Sequence, residues 1–305
     1  MTQKTSTGPA KISSGIYGLD RLIDGGFNQN SSALVIGSAG TGKTTFATQF
    51  LINGLREGVE AIHITLDEPK EQIIREAKSL GFEDIEDYVK AEQLIFMEAA
   101  GSDFYDFIRE ELPELIAEWG GSSNARIVID PLTPVIWSIK EKYHQREVLS
   151  SLFHQTKKIG TILCTLEEHG SVTGKNGNGD SGVFLPMYLA DCALRLSYIG
   201  LGFSISHVLK VIKMRGSWHS PVSHPYQIVE GMGLVVSPLK SDKNVYGVHK
   251  KDFDELRKLI KPLPAEDQKK FLRRAQRVAG SDLGSIKFED AINHLLVEFG
   301  LGEKK

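Results

Sequence analysis

The sequence predicts an α/β fold built on a mostly parallel central sheet, and three observations carry that expectation. Short runs that are apolar throughout recur between Ser31 and Ile199, and strands of that kind are buried on both faces, as parallel strands are. Amphipathic stretches separate the runs, which is the spacing of strand–helix–strand units. Beyond residue 200 the strand-like runs crowd together, as antiparallel hairpins do.

The apolar runs are ALVIG (33–37), AIHITL (61–66), LIFME (94–98), RIVID (126–130), TILCTL (161–166) and CALRLSY (192–198). Helices are expected between them over 43–56, 70–80, 103–118 and 146–158. HVLKVIKMR, YQIVE and GLVVS follow as hairpin strands that complete the sheet. From Lys240 the chain turns polar and helical. DFDELRKLI, AEDQKKFLRRAQRVAG and FEDAINHLLVEFG place apolar residues at helical spacing, as at Phe288, Ile292, Leu295 and Phe299. The expected organisation is a flexible N-terminus over 1–10, a main domain over 11–239 and a small helical unit over 240–305. A unit of that size buries too little surface to be very stable alone, so it is expected to dock on the core or on a neighbouring subunit.

Composition is that of an ordinary soluble globular chain, 41% apolar and 25% charged. No run approaches the ~20 apolar residues that cross a bilayer, and MTQKTSTGPAKIS lacks the apolar centre of a secretory signal. Cys164 and Cys192 sit in apolar strand runs, the placement of reduced core thiols in a cytoplasmic protein. No Cys/His cluster has metal-ligand spacing. Residues 240–305 hold 15 Lys/Arg against 11 Asp/Glu, a balance of +4 that leaves the remainder at −7. An acidic body argues against a chain built mainly to grip nucleic acid, and it leaves the basic tail as the contact region for a protein partner. In that tail Lys269, Lys270, Arg273, Arg274 and Arg277 read as the solvated face of an amphipathic helix.

GSAGTGKT, Gly37 to Thr44, matches G-x-x-x-x-G-K-[ST] between an apolar strand and a helix. The backbone of Gly37, Ser38, Ala39, Gly40, Thr41 and Gly42, with the helix N-terminus at Lys43, Thr44 and Thr45, is expected to cradle the phosphates of ATP. Lys43 would reach the β- and γ-phosphates, and the Thr44 hydroxyl would ligate Mg²⁺. Asp130 closes RIVIDP and is the carboxylate expected to hold Mg²⁺ directly or through water. Asp67 and Glu68 close AIHITLDEP. Hydrolysis needs a base or water-positioning group near the γ-phosphate, and a strand end beside the phosphate loop is where one would sit. Strand neighbours point to opposite faces, so one of the pair should face the water and the other support it; Glu68 is assigned to the water. In VIKMRGSWH, Val211 to His219, Lys213 and Arg215 fall on one strand face and call for an anion opposite them.

In order along the chain, SSGIYGLDRLIDGGF (13–27), GSAGTGKTT, TLDEP, IVIDPLTPV and KMRGSWH resemble the KaiC-type ATPases of the RecA superfamily, over roughly residues 11–238. KMRGSWH is especially similar to the second domain of KaiC. The resemblance implies a RecA-like core, Mg²⁺-dependent ATP binding and hydrolysis, and hexameric rings with ATP at each subunit boundary. It implies that Asp67 and Glu68 are the catalytic carboxylates. It also implies that Lys213, Arg215 and His219 reach the γ-phosphate held by the adjacent protomer, which contributes Gly42, Lys43, Thr44, Glu68 and Asp130. The anion facing VIKMRGSWH is then a neighbour's γ-phosphate.

The sequence also departs from that family. KaiC has two such domains where this chain has one, followed by helices the family pattern does not supply. The family's autokinase phosphorylates an adjacent Ser–Thr pair just before an aspartate. Aligned on Asp191, those acceptor positions hold Met187 and Tyr188, so the resemblance does not bring self-phosphorylation with it. The carboxylate pair is Asp-Glu rather than Glu-Glu, which shifts the base role toward Glu68.

A RadA-like recombinase would share this core and grip DNA through TPVIWSIKEKYHQR (133–146) and HGSVTGKNGNGDSG (169–182). Neither segment is the strongly basic, aromatic-interleaved surface that single strands favour, so nucleic acid is not the favoured partner. A non-catalytic scaffold held together by nucleotide is the other reading, and the full set of carboxylates and cations counts against it.

Overall fold

The computed structural model describes residues 9–118, 124–168, 181–201, 204–237, 250–280 and 288–301. Two short strands, β1 (Lys11–Ile12) and β2 (Phe27–Asn28), pair antiparallel ahead of the main sheet. The first apolar run forms β3 (Ser32–Gly37), buried at every residue, and leads into α1 (Lys43–Arg56). Next come β4 (Ala61–Thr65), α2 (Lys70–Ser79), α3 (Ile85–Lys90) and β5 (Leu94–Glu98). Helices α4 (Gly101–Glu110) and α5 (Leu112–Glu118) lead to β6 (Ala125–Asp130). Helices α6 (Thr133–Ser138) and α7 (Lys142–Thr156) lead to β7 (Gly160–Glu167), and α8 (Ser181–Leu189) leads to β8 (Cys192–Leu201). Strands β9 (Ser204–Met214), β10 (Ser223–Val229) and β11 (Gly233–Val236) follow, then α9 (Lys250–Leu259), α10 (Ala265–Gly280) and α11 (Phe288–Glu298).

The main sheet has nine strands in the order β11-β10-β9-β8-β3-β7-β6-β4-β5. Strands β8 through β5 in that order are parallel, and β9, β10 and β11 are added antiparallel. The mixed sheet expected from the spacing of the apolar runs is therefore what forms. Helix 103–118 is instead two helices that meet at Glu111, because Pro113 has no N–H to continue the ladder. Much of the stretch 133–146, expected as a loop, is helical: α6 starts with Pro134 in its first turn, a position where proline's missing N–H does no harm. Residues 169–180 of the second expected loop lie outside the described residues.

Apolar side chains cover both sheet faces. Phe27, Phe46, Phe50 and Leu194 pack on the α1 side, and Ile36, Ile64, Ile129 and Phe153 on the other. A third cluster joins Val229, Met232 and Val235 of the β10–β11 region to Ile260, Phe271 and Leu295 of the tail. The tail thus docks on its own core. The outer side of β11 is taken up by Tyr17, whose carbonyl accepts from the Val236 N–H at 2.8 Å beside a Tyr17–Val235 bridge.

A buried charge cluster completes the joint. Glu298 accepts from Arg56 at 2.9 Å and Arg274 at 2.7 Å, and His294 lies 3.1 Å away. Burial alone would raise the Glu298 carboxyl, but the Arg274 and Arg56 guanidiniums outweigh it and hold it well below its ordinary value. The basic face of α10 is therefore not simply solvated. Arg274 is buried, Arg273 pairs with Glu83 at 3.0 Å and Lys270 with Asp87 at 3.6 Å, because the docked core presents acids to it. Among the described residues no helix is long and apolar enough to cross a membrane.

Candidate functional site

Parallel strands finish on one edge of the sheet, so β3, β4, β6 and β7 deliver their last residues side by side. Gly37 of β3 lies in register with Glu167 of β7, and Thr65 of β4 with Asp130 of β6. The phosphate loop leaves from that edge. Gly40 (φ +77°) and Gly42 (φ +84°) adopt the left-handed conformation. A Cβ on Gly42 would lie 2.7 Å from Ile228 Cδ1, and one on Gly40 would lie 2.8 Å from the Tyr198 hydroxyl. Both places favour glycine, since an L side chain rarely adopts that φ and its Cβ would push a neighbouring side chain aside. Tyr226 Oη donates to the Thr41 carbonyl at 2.6 Å, tying the loop to β10.

Helix α1 starts at Lys43 with no side-chain cap and no acid in its first turn, leaving an N-terminus suited to an anion. Lys43 Nζ donates to the Ser38 carbonyl at 3.1 Å, as does Thr41 Oγ1 at 2.8 Å. Burial lowers the Lys43 pKa, and the charges of Glu167 and Asp130 oppose that shift. Thr44, followed by half-buried Thr45, hydrogen-bonds Asp130, which also accepts from Thr165 Oγ1. Burial raises the Asp130 carboxyl against these bonds and the charge of Lys43. These residues fit a nucleotide with Mg²⁺: glycine cradle, uncapped helix, lysine, and a hydroxyl beside a carboxylate. Among the described residues no three His, Cys, Asp or Glu side chains form a metal cluster. None is required, since Mg²⁺ commonly takes one or two carboxylates and completes its shell with phosphate oxygens and water.

Asp67 and Glu68 reach the same edge, but not as strand neighbours. Strand β4 ends at Thr65, and the pair lies in a turn where Thr65 Oγ1 donates to the Glu68 carbonyl at 2.6 Å. Strand alternation therefore does not divide their roles; burial does. Asp67 is exposed, while Glu68 is half-buried and its Oε2 is buried with no hydrogen-bond partner among the described residues. Burial raises the Glu68 carboxyl, helped by Glu76, Asp130 and Asp67. Burial, Glu167 and Asp130 raise Asp67.

Glu167 is the residue sequence reasoning missed. The apolar run stops at Leu166, but the strand continues one residue and places a carboxylate between the phosphate-loop strand and the Asp130 strand. Its backbone N–H donates to Thr133 Oγ1 at 2.9 Å, and the next N–H donates to the Gly37 carbonyl at 3.1 Å. The available signal was an acid just past an apolar run.

Lys213, Arg215 and His219 lie elsewhere. Met214 pairs with Cys192, and Cys192 with Ala33, four residues before Gly37. At about 3.3 Å per residue that is roughly 13 Å from their own phosphate loop, toward the opposite edge of the sheet. Lys213 Nζ donates to the carbonyls of Met187 (3.1 Å), Tyr188 (2.8 Å) and Ala190 (2.6 Å). Arg215 donates to Tyr188 O at 2.9 Å and lies 3.7 Å from Asp191. Within one subunit these cations thus face the negative end of α8 and one carboxylate. Half of the Arg215 side chain remains exposed, and His219 is half-buried with Nδ1 3.1 Å from the Ser220 carbonyl.

A phosphate loop at the carboxyl edge of this mixed sheet, with an acid ending a nearby strand, defines the chain as a RecA-like nucleoside-triphosphate-binding protein. Residues 12–241 match the family ATPase: KaiC, and the chain belongs to that family. The circadian clock protein KaiC2 of Synechocystis is 29% identical over 241 residues, covering 76% of this chain and 40% of that one. The circadian clock oscillator protein KaiC of Picosynechococcus is 29% identical over 251 residues, covering 80% and 46%. The chain therefore spans under half the length of these curated relatives. A KaiC-like protein from the hyperthermophilic archaeon Pyrococcus horikoshii superposes with a TM-score of 0.62 at 28% identity, covering 75% of this chain and 100% of that one.

Proposed function

We propose that this chain hydrolyses ATP with Mg²⁺ at sites shared between copies of itself, in a closed hexameric ring whose turnover acts on a protein partner. The observation that carries the reading is the separation of Lys213 and Arg215 from their own phosphate loop, with the Arg215 side chain still half exposed. A charged pair near the amino edge of one subunit's sheet suits the acidic carboxyl edge of the next.

In this reading Gly37 to Thr45 bind the phosphates, and Thr44 and Asp130 hold Mg²⁺. Bound there, the ion would neutralise charge on the β- and γ-phosphates. Glu68 orients a water on the γ-phosphorus and takes its proton, with Asp67 in support. The water oxygen forms the new P–O bond as the bond to the β–γ bridging oxygen breaks, giving ADP and phosphate. Lys43, with Lys213, Arg215 and His219 of the neighbour, balances the charge on the equatorial and leaving oxygens. Residues 11–239 form the ATPase unit and 240–305 its appendage, which offers the partner a surface. The two buried, reduced cysteines accord with a cytoplasmic setting.

The test is oligomeric mass by light scattering with and without ATP and Mg²⁺, alongside phosphate release. Nucleotide-dependent assembly with turnover is the expected result. A monomer under both conditions overturns the shared site.

A further inference from the structure

The turn that carries Arg215 and His219 is unusual in how it is held. The β9–β10 ladder pairs Lys210 with Ser223 and runs from there toward His207 and Tyr226, so residues 211–222 have no partner in β10. Strand β8 supports the chain as far as Met214. The Arg215 N–H still donates to the Asp191 carbonyl just before β8 at 2.8 Å, and the chain then turns through Gly216 (φ +69°) to residue 222 outside both ladders.

Four hydrogen bonds reach this turn from a segment some two hundred residues earlier. Asn28 Nδ2 donates to the Arg215 carbonyl at 2.9 Å. Ser217 Oγ donates to Asn28 Oδ1 at 3.1 Å and accepts from Lys11 Nζ at 2.8 Å. The Ser220 N–H donates to the Leu22 carbonyl at 2.9 Å. Lys11 is fixed in turn by the carbonyls of Ile23 and Gly26, both at 3.2 Å. The segment has a firm footing, since Ile16, Leu19, Ile23 and Phe27 are buried in the core.

We infer that residues 11–28 are a positioning clamp for the cation turn, with Lys11 and Asn28 as its positioning residues. They touch no nucleotide; they fix the backbone from which Arg215 and His219 project. The inference rests on the shared-site reading and adds to it. The completeness of a neighbour's site then depends on the N-terminal segment of the donating subunit, not of the subunit that binds the nucleotide.

The experiment is complementation in mixed assemblies of the full chain. Asn28→Ala should lower ATP turnover at least about tenfold, within the ~10²-fold that a 1 Å misplacement can cost. Its affinity for a fluorescent ATP analogue should stay within about twofold, because its own phosphate edge is intact. Mixed with Glu68→Gln subunits, which have intact turns to donate, Asn28→Ala should recover turnover above the average of the two parents. A defect of folding alone gives no such gain. The control is Arg215→Ala mixed with Glu68→Gln. If the control pair complements and the Asn28→Ala pair does not, the clamp is wrong. If neither complements, the shared-site reading fails and takes this inference with it. Should Asn28→Ala not fold, as judged by Tm, Ser217→Ala removes the hydroxyl that joins Lys11 to Asn28 and is carried through the same mixtures.

Discussion

At the carboxyl edge of the sheet Asp67, Glu68, Asp130 and Glu167 gather near one lysine, Lys43. Toward the amino edge Lys213 and Arg215 gather over one aspartate, Asp191, and the end of α8. The first region is short of positive charge before any nucleotide arrives, and ATP would deepen the shortfall. The second holds its cations mainly with carbonyl dipoles, which carry partial charges only. A phosphate offers full charges and competes well for them. Neither region is balanced alone, and each has what the other lacks.

The sharpest way to break this comparison is Arg215→Ala. Under the shared-site reading turnover falls by about 10³–10⁵-fold, the range of arginine fingers, while binding of a fluorescent ATP analogue is nearly unchanged. Equal losses in both measurements would place Arg215 in its own subunit's nucleotide site or in folding. Next is Glu68→Gln, expected to slow single-turnover hydrolysis by about 10²–10⁴-fold, with Asp67→Asn costing less. A larger effect from Asp67→Asn reverses the two roles.

A third prediction uses the tail joint of Arg56, Arg274 and Glu298 as a reference. Glu298→Gln should weaken tail docking by about 3–5 kcal/mol, because two guanidiniums lose their shared carboxylate. Hydrogen exchange in α10 and α11 reports it. The folded Glu298 pKa lies below the ordinary value of 4.5. Its contribution is therefore full above about pH 4.5 and is lost as pH falls toward the depressed folded value. The gap between wild type and variant should close in acid. The smallest effect expected is on the pH profile of turnover. Glu68 must be ionised to accept a proton, and its pKa is raised, so the acid limb of kcat/KM should lie above 4.5 and shift with salt. A limb at an unperturbed carboxylate value would remove Glu68 from the base role.

What could be read in advance follows from how local each feature is. The phosphate loop was legible because its parts are contiguous and each glycine answers a local backbone demand. The mostly parallel sheet followed from apolar runs buried on both faces, whereas the order of its strands is set by long-range pairing that no single run displays. Glu167 was not legible, since only the register of β7 against β3 shows that it ends beside Gly37. Nor was the partner of the cations. SGVFLPMYL is nearly apolar all round and holds Pro186 within it, so no amphipathic stripe announced α8. Arg274 sits at helical spacing among exposed basic residues, and residue type argues for exposure. Its burial follows only from Glu298 arriving opposite it, and that takes the whole tail.

The pairing of Tyr17 with β11 limits what this molecule can become. A nine-stranded sheet with an open outer strand is a template on which identical chains can stack without end. Here that margin is occupied by Tyr17, and the tail packs over the neighbouring hairpin. With the Val236 N–H already bonded to Tyr17, this margin is a poorer template for a strand of a second copy.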